Sequence, residues 1–464
     1  MTGPHIRPRH RSRLLLACLL PAILVACGGP PTPSPSATGS AVPASPSAVG
    51  SQGPIGQVVP APGSDSSIYA PNPGALVVAI DPGHGGCLDW GVPDPRQRGV
   101  RYSEKAMTLA IGQQLRAMLE AQGVTVVMTR DDDVALAGDD YPDLGCHGPP
   151  WRDVNGDGES GFDPEGAVRT RDELQARLDL ANLVRADMLV SIHINSLTQN
   201  GVVFDIAATE TFYTDETPWG VNVTEPLAQA IQDGVVAEMD GVADYPRQDR
   251  GIQAHNLFIV APPLLKPTAD RPDPRKQPTR GALMPSVLTE VGSITHRAEQ
   301  DLLASEPGQR AAAQGIFDAL QGQFAHRAVG AAYQVPAQEP ATGTLPAVEA
   351  GDGPMFWAPV APAGPLTIRL TNTGTDPWPA DVTLLGGSEA SDQPYLRVPP
   401  GTLEPLLDGA LPALAPGESV DVTVTLPGGD ATARSAAWIT LAQGDRAWTE
   451  MGIPPLQVAT AVGG

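Results

Sequence analysis

The sequence predicts an α/β layered domain with mostly parallel strand pairing, followed by a smaller all-β sandwich. Three features carry that expectation. Between residues 75 and 326, short continuous apolar runs alternate with segments whose apolar residues recur at helical spacing, the order expected of helices layered on an open sheet. Beyond residue 354 only short β-like runs occur, separated by turn residues. Tracts rich in Pro, Ala, Gly and Ser divide these blocks from each other and from the N-terminus.

The elements follow in order. Leu76–Ile80 is a continuous apolar run, as in a strand buried on both faces. Residues 103–122 carry Met107, Leu109, Ala110, Ile111, Leu115, Met118 and Leu119 at helical spacing, with Ser103 as N-cap and Gly123 as the stop. Val124–Met128 is the next strand, 172–185 the second helix, and Met188–Ile194 the third strand. Strands at Glu210–Tyr213, Leu257–Val260 and Ser286–Glu290 and helices at 225–238 and 308–326 continue the domain, which spans 74–327. Residues 131–170 interrupt it as a polar, Asp- and Gly-rich insertion over one end of the sheet. Residues 328–353 read as a linker. Residues 354–460 hold strands at Leu366–Leu370, Val382–Leu385, Ser419–Leu426, Ala436–Leu441 and Leu456–Ala459.

Composition narrows the function. The 464 residues are 41% hydrophobic, enough for real cores, and carry a formal charge of −23. A chain this acidic, without a large basic region, is excluded as a general nucleic-acid binder, because phosphate neutralisation supplies most of that affinity. No apolar run reaches the ~20 residues needed to cross a bilayer. Residues 1–27 read as an address: Arg7, Arg9, Arg11 and Arg13 precede the apolar stretch 14–26. Its end, Leu24-Val25-Ala26-Cys27, resembles a bacterial lipoprotein cleavage box with Cys27 as the lipidated residue. An ordinary signal peptide with a chance cysteine is the alternative. Residues 28–73 are Pro/Ser/Ala-rich and read as a disordered tether. The expected location is therefore extracytoplasmic, at the outer face of a bacterial membrane, with membrane contact through the lipid anchor only. Outside the cell Cys87 and Cys146 can pair, closing a loop of about 60 residues worth ~4 kcal/mol in the chain-entropy model. Two separate buried thiols, or Cys87 as a zinc ligand beside His84, are the other readings.

The chemistry gathers at strand ends. The first strand runs into Asp81-Pro82-Gly83-His84-Gly85-Gly86, and strand C-terminal ends are where open α/β sheets bind ligands. His193 sits deep in an apolar strand and needs a partner there. Glu290 ends another strand, and Glu104 opens the first helix. Two His and a Glu, with a further Glu, suit a catalytic zinc site with three protein ligands, an open fourth position and a separate carboxylate base.

These residues sit in motifs that resemble the zinc-dependent N-acetylmuramoyl-L-alanine amidases, often called type 3. VVAIDPGHGG, the Glu of YSEKAMTLAIGQQL, VVMTRDDDV, ARLDLANLVRADMLVSIHINS, RGIQAHNLFIV and VLTEVG match that family's landmarks in order over about 75–326. The resemblance implies a three-layer αβα sandwich around a mixed sheet. It implies His84, Glu104 and His193 as ligands of one Zn²⁺, Glu290 as the catalytic carboxylate, and structural roles for Arg177 and Asn182 in the helix motif. The implied reaction is hydrolysis of the amide between N-acetylmuramic acid and the stem-peptide L-alanine of peptidoglycan. Asn195, Arg250 and His255 are candidate substrate-binding residues. One departure is Gly292-Ser293, where the family usually has Gly-Phe; it puts the fit of substrate near Glu290 in question. The 131–170 insertion is another, and in some relatives an inserted element blocks the site until a partner moves it.

Within that insertion Asp153, Asn155, Asp157 and Glu159 resemble the start of an EF-hand or dockerin Ca²⁺ loop, although Pro164 stands at the twelfth position. A polar surface turn is the plainer reading. The segments around Trp378, Pro416–Val420, Trp438 and Trp448 resemble Ig-like four-tryptophan domains. That implies a binding or spacing module at 354–460 for a wall ligand or an activator protein. A secreted zinc peptidase of other specificity and a catalytically silent wall-binding scaffold are the competing readings of the whole chain.

Overall fold

A computed structural model describes residues 76–87, 89–137, 153–155, 158, 171–199, 201–216, 219–262, 280–335, 360–361, 365–390, 401–426 and 435–460. The address and tether at 1–73, and the expected sites at Cys27, Cys146, Asp157 and Glu159, lie outside the described residues.

The larger domain is built on a six-stranded mixed sheet. Strand β1 (Val77–Pro82) is buried along its whole length, as its unbroken apolar run predicts. It pairs in parallel with β2 (Thr125–Met128), which follows helix α1 (Glu104–Glu120). Helix α2 (Arg171–Leu183) leads into β3 (Met188–Asn195), which lies parallel to β1 on its other side. A short hairpin, β4 (Thr198–Gln199) and β5 (Val202–Val203), precedes β6 (Ala208–Tyr213). Helix α3 (Glu225–Val242) and strand β7 (Gln248–Ala254) come next, followed by β8 (Ser286–Ser293). Helices α4 (Arg297–Leu303) and α5 (Glu306–Ala325) close the domain. The sheet order is β2-β1-β3-β8-β6-β7. β3 and β8 run parallel, β6 runs antiparallel to β8, and β7 is parallel to β6.

Alternation along each strand feeds two cores. Val78 and Ile80 face Met107, Ile111 and Leu115 of α1, Ile231 and Val235 of α3, and Ile316 and Leu320 of α5. Val77, Ala79 and Leu189 face the other way, toward Ala176, Leu180 and Ala181 of α2 and Phe258–Val260. The result is the expected three-layer αβα arrangement. Helices α3 and α5 touch backbone to backbone, since a Cβ added at Gly315 would lie 2.4 Å from the Gly234 carbonyl carbon.

Three sequence expectations change. Leu257–Val260 is not a strand: Phe258–Val260 form a 3₁₀ turn buried on the α2 face. A four-residue apolar run has too few periods to separate the two. Val134–Ala137, assigned to the polar insertion, are core residues, and the Ala137 N–H donates to Glu173 at 2.8 Å. Residues 331–334, assigned to the linker, form strand β9 (Ala331–Gln334) of the second domain.

In that domain β9 pairs antiparallel with β11 (Leu366–Asn372), and the order of the sheet is β14-β11-β9. The second sheet runs β10 (Val360–Ala361), β17 (Leu456–Thr460), β15 (Ser435–Gln443), β12 (Val382–Ala390), β13 (Glu404–Pro405), with β16 (Arg446–Ala447) on β15; β14 is Ser419–Val424. Leu366, Ile368, Leu370, Val382, Ile439, Leu441 and Val458 fill the core between the sheets. Trp378 and Trp448 meet edge to face there, with centroids 5.3 Å apart, so these tryptophans are core rather than a ligand platform.

The two domains pack on each other. Arg327, at the end of the larger domain, pairs with Asp187, whose carboxylate also accepts the Val77 N–H at 2.8 Å, and the Arg327 carbonyl accepts the Thr375 N–H of the β domain at 2.9 Å. Arg185 donates to the Tyr333 carbonyl at 2.9 Å, and Leu283 packs with Ala436 and Trp438. Apart from Arg327, these residues of the larger domain lie at the N-terminal ends of β1, β3 and β8. The opposite ends of the same strands are left for the site. Among the described residues no helix is long and apolar enough to cross a membrane.

Candidate active site

The site is assembled from the C-terminal end of β1, the start of α1, and the ends of β3 and β8. Asp81 fixes the end of β1: it is 1% exposed and accepts from Thr129 Oγ1 at 2.6 Å, Ser191 Oγ at 2.6 Å and Arg177 at 2.7 Å. Burial alone would raise its pKa, but Arg177 and the two hydroxyls hold it at about 2. Arg177 also donates to the Pro82 and His84 carbonyls at 2.8 Å each and pairs with Glu173. It is thus a buried strut under the loop that carries His84, as the resemblance implied. Asn182 is a second strut: its amide bonds Gly281 and Leu283 at 2.9 Å, holding the chain that enters β8.

Past Pro82 the backbone turns sharply. A Cβ at Gly83 would lie 2.4 Å from the His193 ring, so only glycine lets the loop close on that imidazole. His84 itself has φ 64°, a strained left-handed conformation for a residue with a side chain. The His84 ring is held by Asp89, whose Oδ1 lies 2.7 Å from Nδ1. That leaves Nε2 facing Glu104 Oε1 at 3.3 Å.

Glu104 is 3% exposed at the first turn of α1. Its Oε2 accepts from the Val92 N–H at 2.9 Å and its Oε1 from the Ile194 N–H at 3.0 Å; His193 Nδ1 lies 3.1 Å from Oε1. Burial opposes its charge, but His84 and His193 outweigh burial and depress its pKa. The two imidazoles meet edge to face with centroids 4.8 Å apart. One donor atom each from His84, Glu104 and His193 lies within 4.8 Å of the others, and among the described residues this is the group able to hold a metal ion.

Glu290 lies beside His193 in the β3–β8 register. Its Oε2 is buried and has no hydrogen-bond partner among the described residues. Burial first, then Glu104 and Glu210, push its pKa well above the usual carboxylate value. Unlike Glu104, this carboxylate is poised to hold a proton.

The structure brings Asn195 and Arg250 together on Glu210: Asn195 Nδ2 donates at 3.3 Å and Arg250 Nε at 3.1 Å. His255 directly follows β7, and its exposed ring stands 6.3 Å from that of Phe212 on β6. Ser293 is fully buried and bonded to Thr295 Oγ1 at 2.7 Å, so the departure from Gly-Phe faces inward. Asp153 accepts the Gly158 N–H at 2.8 Å, and the Asn155 N–H donates to Asp172 at 3.0 Å, leaving the rest of the expected Ca²⁺ loop outside the described residues. Cys87 is disulfide-bonded, and Cys146 lies outside the described residues.

Asp89 and Glu210 were missed in sequence. Asp89 stands in a Gly-flanked loop five residues after His84, which was the available signal. Glu210 is a lone carboxylate in the strand Thr-Glu-Thr-Phe-Tyr, with no neighbouring motif to mark it.

Comparison with known proteins places the larger domain in a family. A family model described as N-acetylmuramoyl-L-alanine amidase matches residues 78–322. The chain is 24% identical over 251 residues to a germination-specific N-acetylmuramoyl-L-alanine amidase of Bacillus subtilis, covering 54% of this chain and 81% of that one. It is 24% identical over 277 residues to an N-acetylmuramoyl-L-alanine amidase of Mycobacterium tuberculosis, covering 56% and 92%. Among solved structures, an N-acetylmuramoyl-L-alanine amidase of Nostoc punctiforme aligns with TM-score 0.35 and 25% identity over 54% of this chain and 97% of that one.

Proposed function

The chain belongs to the N-acetylmuramoyl-L-alanine amidase family, and from that premise we propose that it uses one Zn²⁺ to hydrolyse the amide between N-acetylmuramic acid and L-alanine in peptidoglycan. The observation that carries this reading is the convergence of three donors, His84, Glu104 and His193, beside a buried Glu290 Oε2 that has no hydrogen-bond partner among the described residues. Two imidazole nitrogens and one carboxylate oxygen are a donor set that suits Zn²⁺, with a position left over for substrate or water. When bound, the ion polarises the scissile carbonyl and acidifies water.

The chain's own residues supply the rest. Asp89 fixes the His84 ring so that Nε2 faces inward, and Glu104 stays ionised under the two imidazoles. Glu290 Oε2 takes a proton from the attacking water and delivers it to the L-alanine nitrogen as the C–N bond breaks. Its raised proton affinity suits the first of these transfers, the uptake of the proton from water. The products are a lactyl carboxylate on the sugar and a peptide with a free amino terminus.

Several wider expectations are part of the same proposal. They are lipidation at Cys27, an extracytoplasmic location at a bacterial membrane, a Cys87–Cys146 bridge, and Ca²⁺ in the 153–165 loop. The β domain is proposed as an Ig-like module for a wall ligand or activator.

The test is digestion of purified peptidoglycan by the protein, with Zn²⁺ or with a chelator, beside Glu290→Ala, read by mass spectrometry. Intact stem peptides with a free L-alanine amine, lost with chelator and in the variant, are expected. Cuts within the stem would move the assignment to a zinc peptidase, and no release in any condition would favour a silent wall-binding role.

A further inference from the structure

We propose that Arg250 selects a free carboxylate on the peptide side of the substrate, and that Glu210 is the positioning residue that holds it; this rests on the amidase reading above. Glu210 on β6 lies directly opposite Glu290 on β8 in the antiparallel register. Side chains so paired leave the same face of the sheet, about 5 Å apart at their bases. Glu210 is 4% exposed, yet four donors converge on it. Arg250 Nε lies at 3.1 Å and its second nitrogen at 3.4 Å, Asn195 Nδ2 lies at 3.3 Å, and Gln253 Nε2 also donates. A buried carboxylate gripped this way is an anchor.

What it anchors is a guanidinium whose side chain stays 36% exposed. Glu210 engages one edge of that planar fork, and planarity directs the remaining N–H donors away from Glu210. The place of this cation in the sheet matters. His84 lies in the loop that leaves β1, His193 on β3 and Glu290 on β8 next to it, and β6 and β7 continue outward beyond Glu290. A scissile amide with its carbonyl at the histidine side and its nitrogen at Glu290 therefore sends its leaving peptide over β6 and β7, where Arg250 stands. The chain carries −23 overall, so its long-range field repels an acidic peptide. A local fixed cation is what allows such a peptide to be recognised, and pre-positioning by Glu210 removes much of the entropy cost of using a long side chain.

The experiment uses the full zinc-loaded protein and a series of synthetic muramoyl-peptides in which each free carboxylate of the stem is converted in turn to the carboxamide. One member of the series is expected to lose about 10-fold or more in kcat/KM, through KM, as for a lost charged hydrogen bond. In Arg250→Gln the ratio between acid and amide should fall to near unity, and Arg250→Lys should keep part of it. Glu210→Gln, close in volume, should raise KM for the acid and shrink the same ratio while leaving cleavage detectable. Equal rates across the series in the wild type, or an intact ratio in Arg250→Gln, would overturn the inference. An unchanged ratio in Glu210→Gln would overturn the part assigned to Glu210. If the wild type releases no L-alanyl peptide from any member, the amidase reading itself fails and takes this inference with it.

Discussion

Replacing Asp89 by Ala should cost metal affinity while leaving the fold intact. The shorter of the two side-chain contacts on the His84 ring is Nδ1 to Asp89 Oδ1 at 2.7 Å, against 3.3 Å from Nε2 to Glu104, on a residue already strained at φ 64°. Without the Asp89 bond the ring loses its firmest hold, and Nε2 is less well directed toward Glu104. Loss of such an outer partner typically costs 10–100-fold in metal affinity, or about 1.4–2.8 kcal/mol. Asp89 accepts little else, a long contact from the Gly91 N–H at 3.4 Å, so the global stability change should be within about 1 kcal/mol. Competition with a chromophoric chelator at fixed pH measures the zinc Kd, and thermal unfolding of the metal-free protein measures the fold. Asp89→Asn should fall between Ala and wild type, because it keeps an acceptor and loses the charge. A zinc Kd unchanged within twofold in Asp89→Ala would refute the argument that this carboxylate sets the ring.

Three further outcomes follow from the packing. Gly315→Ala places a Cβ 2.4 Å from the Gly234 carbonyl carbon, so α3 and α5 must part; a loss of about 1–3 kcal/mol in denaturant unfolding is expected. Asp81, held at about 2 against an ordinary 3.8, contributes about 2 kcal/mol that is fully present above pH 4 and is lost as pH falls toward 2; Asp81→Asn should flatten that part of the stability curve measured by urea titration. Trp438→Ala removes the side chain that packs on Leu283 between the domains and should cost about 3–5 kcal/mol, seen as a lower Tm of the β domain.

Much of the architecture was legible because it rests on long apolar runs. Val77–Ile80 and Met188–Ile194 read as buried strands from their unbroken apolar runs, and the helical spacing from Met107 to Leu119 marked α1. The motifs at their ends placed His84, Glu104, His193 and Glu290 in one site before any coordinates. Other elements were illegible for physical reasons. β7 is an exposed edge with the sequence Gln-Asp-Arg-Gly-Ile-Gln-Ala, which has no apolar run to betray it. β9 is an Ala-rich strand whose burial depends on Tyr333 reaching a core assembled from residues far along the chain. Glu210 carried no sequence signal of its burial, because Arg250, Gln253 and Asn195 close over it from other elements. Such partners are tertiary facts. The docking of the β domain on the N-terminal strand ends was equally invisible, since Leu283 and Trp438 are separated by more than a hundred residues.

The central claim is a zinc centre on His84, Glu104 and His193 with Glu290 beside it. The most direct measurement is anomalous X-ray diffraction at the zinc edge from crystals of the metal-loaded protein, with metal content counted on the same sample. The account predicts one zinc per chain, held by His84, Glu104 and His193, and absent from a His193→Ala variant that still folds. Zinc bound elsewhere, or retained at full occupancy in that variant, would contradict it.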